Sequence, residues 1–410
     1  MKKIELLAPA GDLEKLKIAV LYGADAVYFG GEMFSLRAGA GNMSLDEMKE
    51  GIAFAHERGV KAYLTINIYA HNEDIQPLTE YLHKIKDFDI DAFIVSDVGI
   101  ITLIQEIIPD AEIHLSTQAN MTNYQTAKFW YNKMGVQRIV LARELTFKEI
   151  NELRENTPEE LEYEAFVHGA MCISYSGRCL LSNFMIERDA NRGMCAHPCR
   201  WKYALVEEQR PGQYYPIEED SRGTYILNSR DLCMIEHIPQ LIQSGMASLK
   251  LEGRMKSVFY VATIVSAYRK AIDAYYADPE NYEFKEEWMT ELKKVSHREF
   301  TTGFYFDKPT NQDQNYQTSA YTREYTFTGM VKSYDPETGY AIVEQRNKMV
   351  IGDEIEVFGP FTDFYVQELK EMYNEEGEAI ESAPHPQQIL KIKMDKPVEP
   401  NFMLRKKKEQ

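Results

Sequence analysis

The residues best suited to do chemistry lie between Glu164 and Trp201, which hold four of the five cysteines in this 410-residue chain: Cys172, Cys179, Cys195 and Cys199. Their spacing, C-x6-C-x15-C-x3-C, is one that no single helix or strand would turn to one side. A folded loop would. Ser174 to Gly177 stand between the first two cysteines and Ala196-His197-Pro198 between the last two, so turn formers occur where the chain must bend to present sulfur. Four thiolates in one excursion suit zinc or an iron–sulfur cluster. Zinc sites usually use two close cysteine pairs, and only the second pair here is close, which favours a cluster. The bland alternative is a set of unrelated core cysteines. The N-terminal stretch has no apolar signal-peptide core, so a cytoplasmic protein with reduced thiols is expected rather than disulfides. Cys233, the fifth thiol, is an alternative to Cys199 as fourth ligand.

Short apolar runs and amphipathic helices alternate through the first half. Strands are expected at Ile4–Ala8, Ala26–Phe29, Ala62–Ile66, Ala92–Val95, Ile113–Ser116, Arg138–Leu141, Glu162–Val167 and Ser248–Leu251, with helices between them. Asp12 opens the first helix, and Ser44 with Glu47 forms a capping box on the second. The pattern predicts an α/β fold, a (β/α)8 TIM-like barrel with a Cys-rich insertion after strand 7, about 168–247, within a domain spanning 1–310. In such a barrel, polar residues just past each strand face the active site. These are Asn67, Asp97, Gln118, Asn120, Arg143, Glu144, His168, Lys250, Glu252 and Arg254. His168 is placed to relay a proton beside the cysteines, and Arg143, Lys250 and Arg254, joined by Arg37, could form an anion receptor. The competing assignments are a core histidine, helix caps and a structural Arg254–Glu252 ion pair.

From Tyr321 onward alternating strands dominate, and residues 311–410 read as a small C-terminal β-barrel that docks RNA, contacts a second subunit or caps the first domain. The acidic stretch Glu207–Gly223 reads as an exposed loop, and the basic run from Arg405 to Lys408 as a solvated tail. A net charge of −18 excludes a protein that coats nucleic acid nonspecifically, although basic residues gathered on one face remain compatible with an RNA enzyme. No apolar run approaches the roughly 18 residues of a membrane span. Proteolytic machinery is scarce: there is no His-Glu-x-x-His or Gly-x-Ser-x-Gly motif, and only a Cys172–His168 pair would serve as a nucleophile and base.

Several segments together resemble the peptidase U32 family, the collagenase-like proteases. They are the opening Leu-Leu-Ala-Pro-Ala-Gly, residues 164–172, residues 176–182, Asn228-Ser229-Arg230-Asp231, and Ser248 to Arg254. The cysteine pattern ending in Arg200-Trp201 is most similar to the branch that hydroxylates a wobble uridine of tRNA. The resemblance implies a tRNA modification enzyme with a [4Fe–4S] cluster on the four cysteines and prephenate, a small dicarboxylate, as co-substrate. Asn67, Gln118, His168 and Glu252 would then be catalytic, and Arg37, Arg143, Lys250 and Arg254 would bind prephenate. It further implies the anticodon region of tRNA as partner, with a homodimer or a heterodimer with a related member. The alternatives within the family are a U32-type peptidase and hydroxylases of ribosomal RNA or of a quinone precursor.

Overall fold

Strands buried on both faces need not alternate polar and apolar residues, and all residues of β2 (Ala26–Phe29) and β4 (Ala92–Val95) are buried. With β1 (Glu5–Pro9), β3 (Lys61–Ile66), β5 (Ile113–Leu115), β6 (Arg138–Val140) and β7 (Glu162–Ala170) they pair in parallel in chain order. β8 (Asp231–Cys233) lies outside the ring. β9 (Ser248–Leu251) pairs in parallel with both β1 and β7 and closes an eight-stranded barrel. The computed structural model describes residues 3–35, 42–172, 174, 178–201, 205–206, 214–215, 219–220, 223–224, 230–307 and 322–408. Arg37, most of Glu207–Gly223 and the boundary expected at 310/311 lie outside the described residues.

The helices begin where the capping residues predict. Asp12 accepts the Lys15 amide at 2.9 Å at the start of α1 (Leu13–Leu21), and Ser44 and Glu47 close a capping box on α2 (Leu45–His56). Asp97, a strand-end residue expected at the site, instead caps α4 (Val98–Ile107), which follows α3 (Asn72–Ile85).

β7 departs from its expected end at Val167 and runs on to Ala170, and the reason is a bulge. Lys250 pairs with Phe166 but Leu251 with His168, so Val167 is the extra residue. Its carbonyl accepts the Met234 amide at 3.0 Å and the Tyr268 hydroxyl at 2.8 Å. Gly169 then takes a φ of +109°, and a Cβ there would meet the Glu252 carbonyl oxygen at 2.7 Å. Past the bulge β7 runs antiparallel to β8, which holds the strand that delivers Cys172 above the barrel rim.

The C-terminal residues form a seven-stranded antiparallel sheet curved into a half-barrel. Met403–Lys407 is an interior strand of it, between Glu354–Phe358 and Tyr325–Asp335, so the basic run is no solvated tail. Arg405 is fully buried, 2.8 Å from Glu291 and 2.7 Å from Glu356. Glu291 belongs to α10 (Glu286–Lys294) of the barrel domain, following α5 (Tyr124–Met134), α6 (Phe147–Glu155), α7 (Leu181–Ile186), α8 (Ile238–Gln243) and α9 (Val258–Ala277). Phe259 of α9 stacks on Phe327 with ring centroids 5.6 Å apart, and Tyr22 donates to the Asn401 carbonyl at 2.9 Å. The sheet therefore packs against α1, α9 and α10 of the barrel.

Candidate active site

A cavity of about 130 Å3 opens where the barrel strands end. Tyr28, Thr65, Ile94, Val140 and Phe166, close to the C-terminal ends of β2, β3, β4, β6 and β7, form its floor and walls. Asn67, Ser116, Thr117, Gln118, Arg143, Lys250, Glu252 and Arg254 add polar groups, and Cys172, Cys179, Cys195 and Cys199 cover it.

The cysteine loop is fixed by polar clamps. Asn191 accepts the Cys179 amide at 3.1 Å and returns its own side-chain amide to the Cys179 carbonyl at 3.1 Å. The buried Ser182 hydroxyl accepts the Ala196 amide at 3.1 Å. Arg192 grips Asp74 of α3 through two bonds of 2.8 and 2.9 Å, and the hydrogen bond from Arg192 holds the Asp74 carboxyl below the usual carboxylate range. The loop is thus tied to the segment after β3 that also supplies Asn67.

Beneath the cavity, charges run through the barrel interior. The Lys250 ammonium lies 2.7 Å from Glu164 and 4.3 Å from the Tyr28 ring centroid. Arg138 lies 3.4 Å from Glu164 and 2.6 Å from both Glu5 and Glu162. Burial pulls Lys250 below the ordinary lysine range, offset in part by Glu164. Burial pushes Glu164 up, but the charges of Lys250 and Arg138 outweigh it and hold the carboxyl down. The anion receptor expected from Arg143, Lys250 and Arg254 is therefore altered: all three reach the cavity, but Lys250 already faces a carboxylate. Arg254 is 4% exposed and donates to Ser35 at 2.6 Å, Thr65 at 3.3 Å and Asn42 at 2.8 Å, contacts that set the plane of its guanidinium. The Arg143 guanidinium lies over Phe166, 4.0 Å from the ring centroid.

Cys233 and His168 do not line the cavity, and neither do Asp97 and Asn120. Cys233 sits in the core behind it, 4.0 Å from the Tyr268 hydroxyl, and burial pushes its thiol up to about 12, the opposite of what a thiolate ligand needs. Cys233 stands apart from the cavity that the other four cysteines line. His168 is 2% exposed, packed among Tyr260, Tyr268 and Phe300, with Nδ1 3.4 Å from the Tyr268 hydroxyl. Burial, then the charges of Lys256 and His297, lower its pKa to about 3, so His168 is neutral at neutral pH in the core behind the cavity.

The sign of that shift gives a test. An unfolded histidine titrates near 6.5, so between about 6.5 and 3 the unfolded chain binds a proton that the native chain refuses. Stability is full above that window and falls as pH drops through it. Between pH 7 and 5 the wild type is expected to lose about 2 kcal/mol more than His168→Phe. Urea melts at the two pH values check this, and parallel losses would show that His168 is charged in the fold.

A bound metal group requires several donors that converge. Among the described residues no three His, Cys, Asp or Glu side chains converge where a single ion could sit. The four thiols stand instead around one cavity wall. The Leu181 amide points to Cys179 Sγ at 3.4 Å, the His197 amide to Cys195 Sγ at 3.4 Å, and Ser174 Oγ lies 3.2 Å from Cys172 Sγ. Contacts of this kind are also made to metal-bound sulfur, so these four cysteines are the residues that could hold a metal group here.

Comparison with known proteins agrees with this architecture. A model of peptidase family U32 matches residues 11–315, and one of the U32 C-terminal domain matches residues 323–405. The chain belongs to peptidase family U32. It is 45% identical to tRNA hydroxylation protein P1 of Bacillus subtilis (strain 168), over 99% of this chain and 96% of that one. It is 37% identical to tRNA hydroxylation protein P of Escherichia coli (strain K12), over 98% and 96%. A protein named collagenase from Porphyromonas gingivalis (strain ATCC BAA-308 / W83) is 32% identical over 94% and 93%.

Within this U32 barrel, the site residues that spacing did not disclose are Glu164, Ser35, Thr65, Tyr28 and Phe166. Glu164 carried one signal, a carboxylate set between the buried Tyr163 and Ala165, where an unpaired charge would be prohibitive.

Proposed function

We propose that this protein is a tRNA hydroxylase that installs the 5-hydroxyl of the wobble uridine, using a [4Fe–4S] cluster held by Cys172, Cys179, Cys195 and Cys199 and prephenate as co-substrate. The observation that carries it is the 45% identity, over 99% of the chain, to tRNA hydroxylation protein P1. The cavity chemistry supports it. When bound, the cluster would supply one-electron transfer. The chain's own residues do the rest. The four thiolates hold the group, and amide bonds to Cys179 and Cys195 keep their sulfurs aimed. Arg254, its fork oriented by Ser35, Thr65 and Asn42, and Arg143, braced on Phe166, offer planar donors to the carboxylates of the co-substrate. Asn67 and Gln118 supply amides of the kind that read the polar edge of a base. Glu252 is a carboxylate of the cavity lining, of the type that moves protons. A base can reach the strand ends only if it leaves its stack, as an anticodon base does at low cost.

Nucleoside mass spectrometry of tRNA from cells lacking the protein is the test. Loss of 5-hydroxyuridine-derived nucleosides at the wobble position is expected. Unchanged tRNA with altered ribosomal RNA or quinones would reassign the substrate. The peptidase alternative is less supported, because His168, the base it would need beside Cys172, lies outside the cavity and is a weak base there, its affinity for a proton lowered by burial. Gelatin digestion by the purified protein would revive it.

A further inference from the structure

Around the mouth of the cavity, large apolar side chains face solvent. Tyr69 is 54% exposed and Leu180 70%, and Met185, Met194 and Trp201 are also exposed. Tyr69 follows the cavity residue Asn67 by two positions, and Trp201 follows the cavity residue Cys199 by two. An exposed patch of this kind beside a site marks something that docks there.

Tyr69 is the best-defined member. Its amide donates to the Asn191 carbonyl at 3.0 Å and its carbonyl accepts from Arg192 at 3.4 Å, so its backbone is stitched into the seam between the β3–α3 segment and the cysteine loop. Its ring nevertheless points outward. The Arg178 guanidinium lies over that ring at 5.8 Å, and His71 meets it edge to face at 5.7 Å. Arg178 adjoins the cavity cysteine Cys179. A rigidly mounted aromatic ring beside an arginine plane and an imidazole is the set of surfaces on which unstacked bases are received.

Charge points to the same occupant. The stretch from Cys172 to Trp201 contains four arginines, no lysine, one glutamate and one aspartate, in a chain of net charge −18. One of the four, Arg192, is committed to Asp74. The loop is locally basic in an acidic protein, and it is basic through the planar cation that both stacks on bases and pairs with phosphate.

We propose that Tyr69 and Arg178 form a stacking platform for a single-stranded RNA base that flanks the nucleotide entering the cavity. The proposal deepens the tRNA hydroxylase function above and presupposes it. Tyr69 supplies the face and Arg178 a second plane with a phosphate-seeking charge, while the reacting base passes between the platform and the cysteine loop.

The probe is a fluorescein-labelled anticodon stem-loop with unmodified uridine at the wobble position, titrated by anisotropy with cluster-loaded full-length protein. Tyr69→Ala is expected to weaken binding roughly 5- to 150-fold. Tyr69→Phe, which keeps the face and loses the hydroxyl, is expected to stay within about twofold of wild type. Arg178→Lys is expected to fall between wild type and Arg178→Ala, because ammonium keeps the charge but not the plane. Iron content and melting temperature should match wild type in each variant. Wild-type affinity in Tyr69→Ala overturns the platform, as does an equal loss in Tyr69→Phe. A changed oligomeric mass in Tyr69→Ala with RNA affinity intact also overturns it, and assigns the face to a second copy of the chain. If the wild type ignores the stem-loop and cells lacking it keep their tRNA nucleosides, the hydroxylase function itself falls. If the wild type binds and only the variants fail to differ, the platform alone falls.

Discussion

Alanine at Cys172, Cys179, Cys195 or Cys199 is expected to strip the cluster and abolish hydroxylation, while Cys233→Ala keeps both. The contrast follows from where the thiols stand. The four line one cavity, and three of their sulfurs have a hydroxyl or amide within 3.2 to 3.4 Å. Cys233 is enclosed in the core with a thiol pushed up to about 12. A thiolate is the ligand form, and burial without a compensating charge opposes it. Anaerobically purified wild type should contain about four iron per chain with a cluster's visible colour. The ligand variants should lose iron while keeping most of their melting temperature, because the barrel core does not depend on the loop. Zinc at one per chain in colourless protein would replace the cluster with a single ion, and bleaching by Cys233→Ala would restore it to the ligand set.

How much the residues disclosed depended on whether local pattern or distant pairing decided the outcome. Ala26–Phe29, Ala92–Val95 and Ser248–Leu251 fall where their apolar runs predict, since a parallel barrel strand is buried on both faces and needs no partner to be recognised. The extension of β7 to Ala170 was hidden, because it requires a bulge at Val167, Gly169 in a positive-φ conformation and a short antiparallel partner from far along the chain. Met403–Lys407 misled for the same reason. A run of cations looks solvated until Glu291 and Glu356 arrive from other elements to pair with Arg405. At the site, the rule that strand ends face the chemistry placed Asn67, Gln118, Arg143, Lys250, Glu252 and Arg254 around one cavity. It failed for His168, because the bulge displaces the strand end by one residue and leaves the imidazole behind the site.

The largest effect on stability is expected at Glu164. This carboxylate is fully buried between Lys250 and Arg138, so Glu164→Gln leaves two interior cations short of a partner and should cost about 3–5 kcal/mol. The gap between wild type and variant should be full at neutral pH. Because Glu164 titrates lower in the fold than in the unfolded chain, the gap should shrink as acid protonates it below the ordinary glutamate range. Lys250→Met should also destabilise, by leaving Glu164 with Arg138 alone. Replacing both, Glu164→Leu with Lys250→Met, removes a buried ion pair rather than breaking it, and should recover most of the lost stability in a urea melt. Arg138 keeps Glu5 and Glu162 at 2.6 Å in that variant. The double variant thereby separates the two duties of Lys250. If its ammonium helps to hold a carboxylate over the barrel mouth, the restored fold should still need a roughly tenfold to hundredfold higher prephenate concentration, the loss of one charge-assisted hydrogen bond. Wild-type dependence on prephenate in a stable double variant would make Lys250 a brace of the barrel interior, and would leave the anion to Arg143 and Arg254.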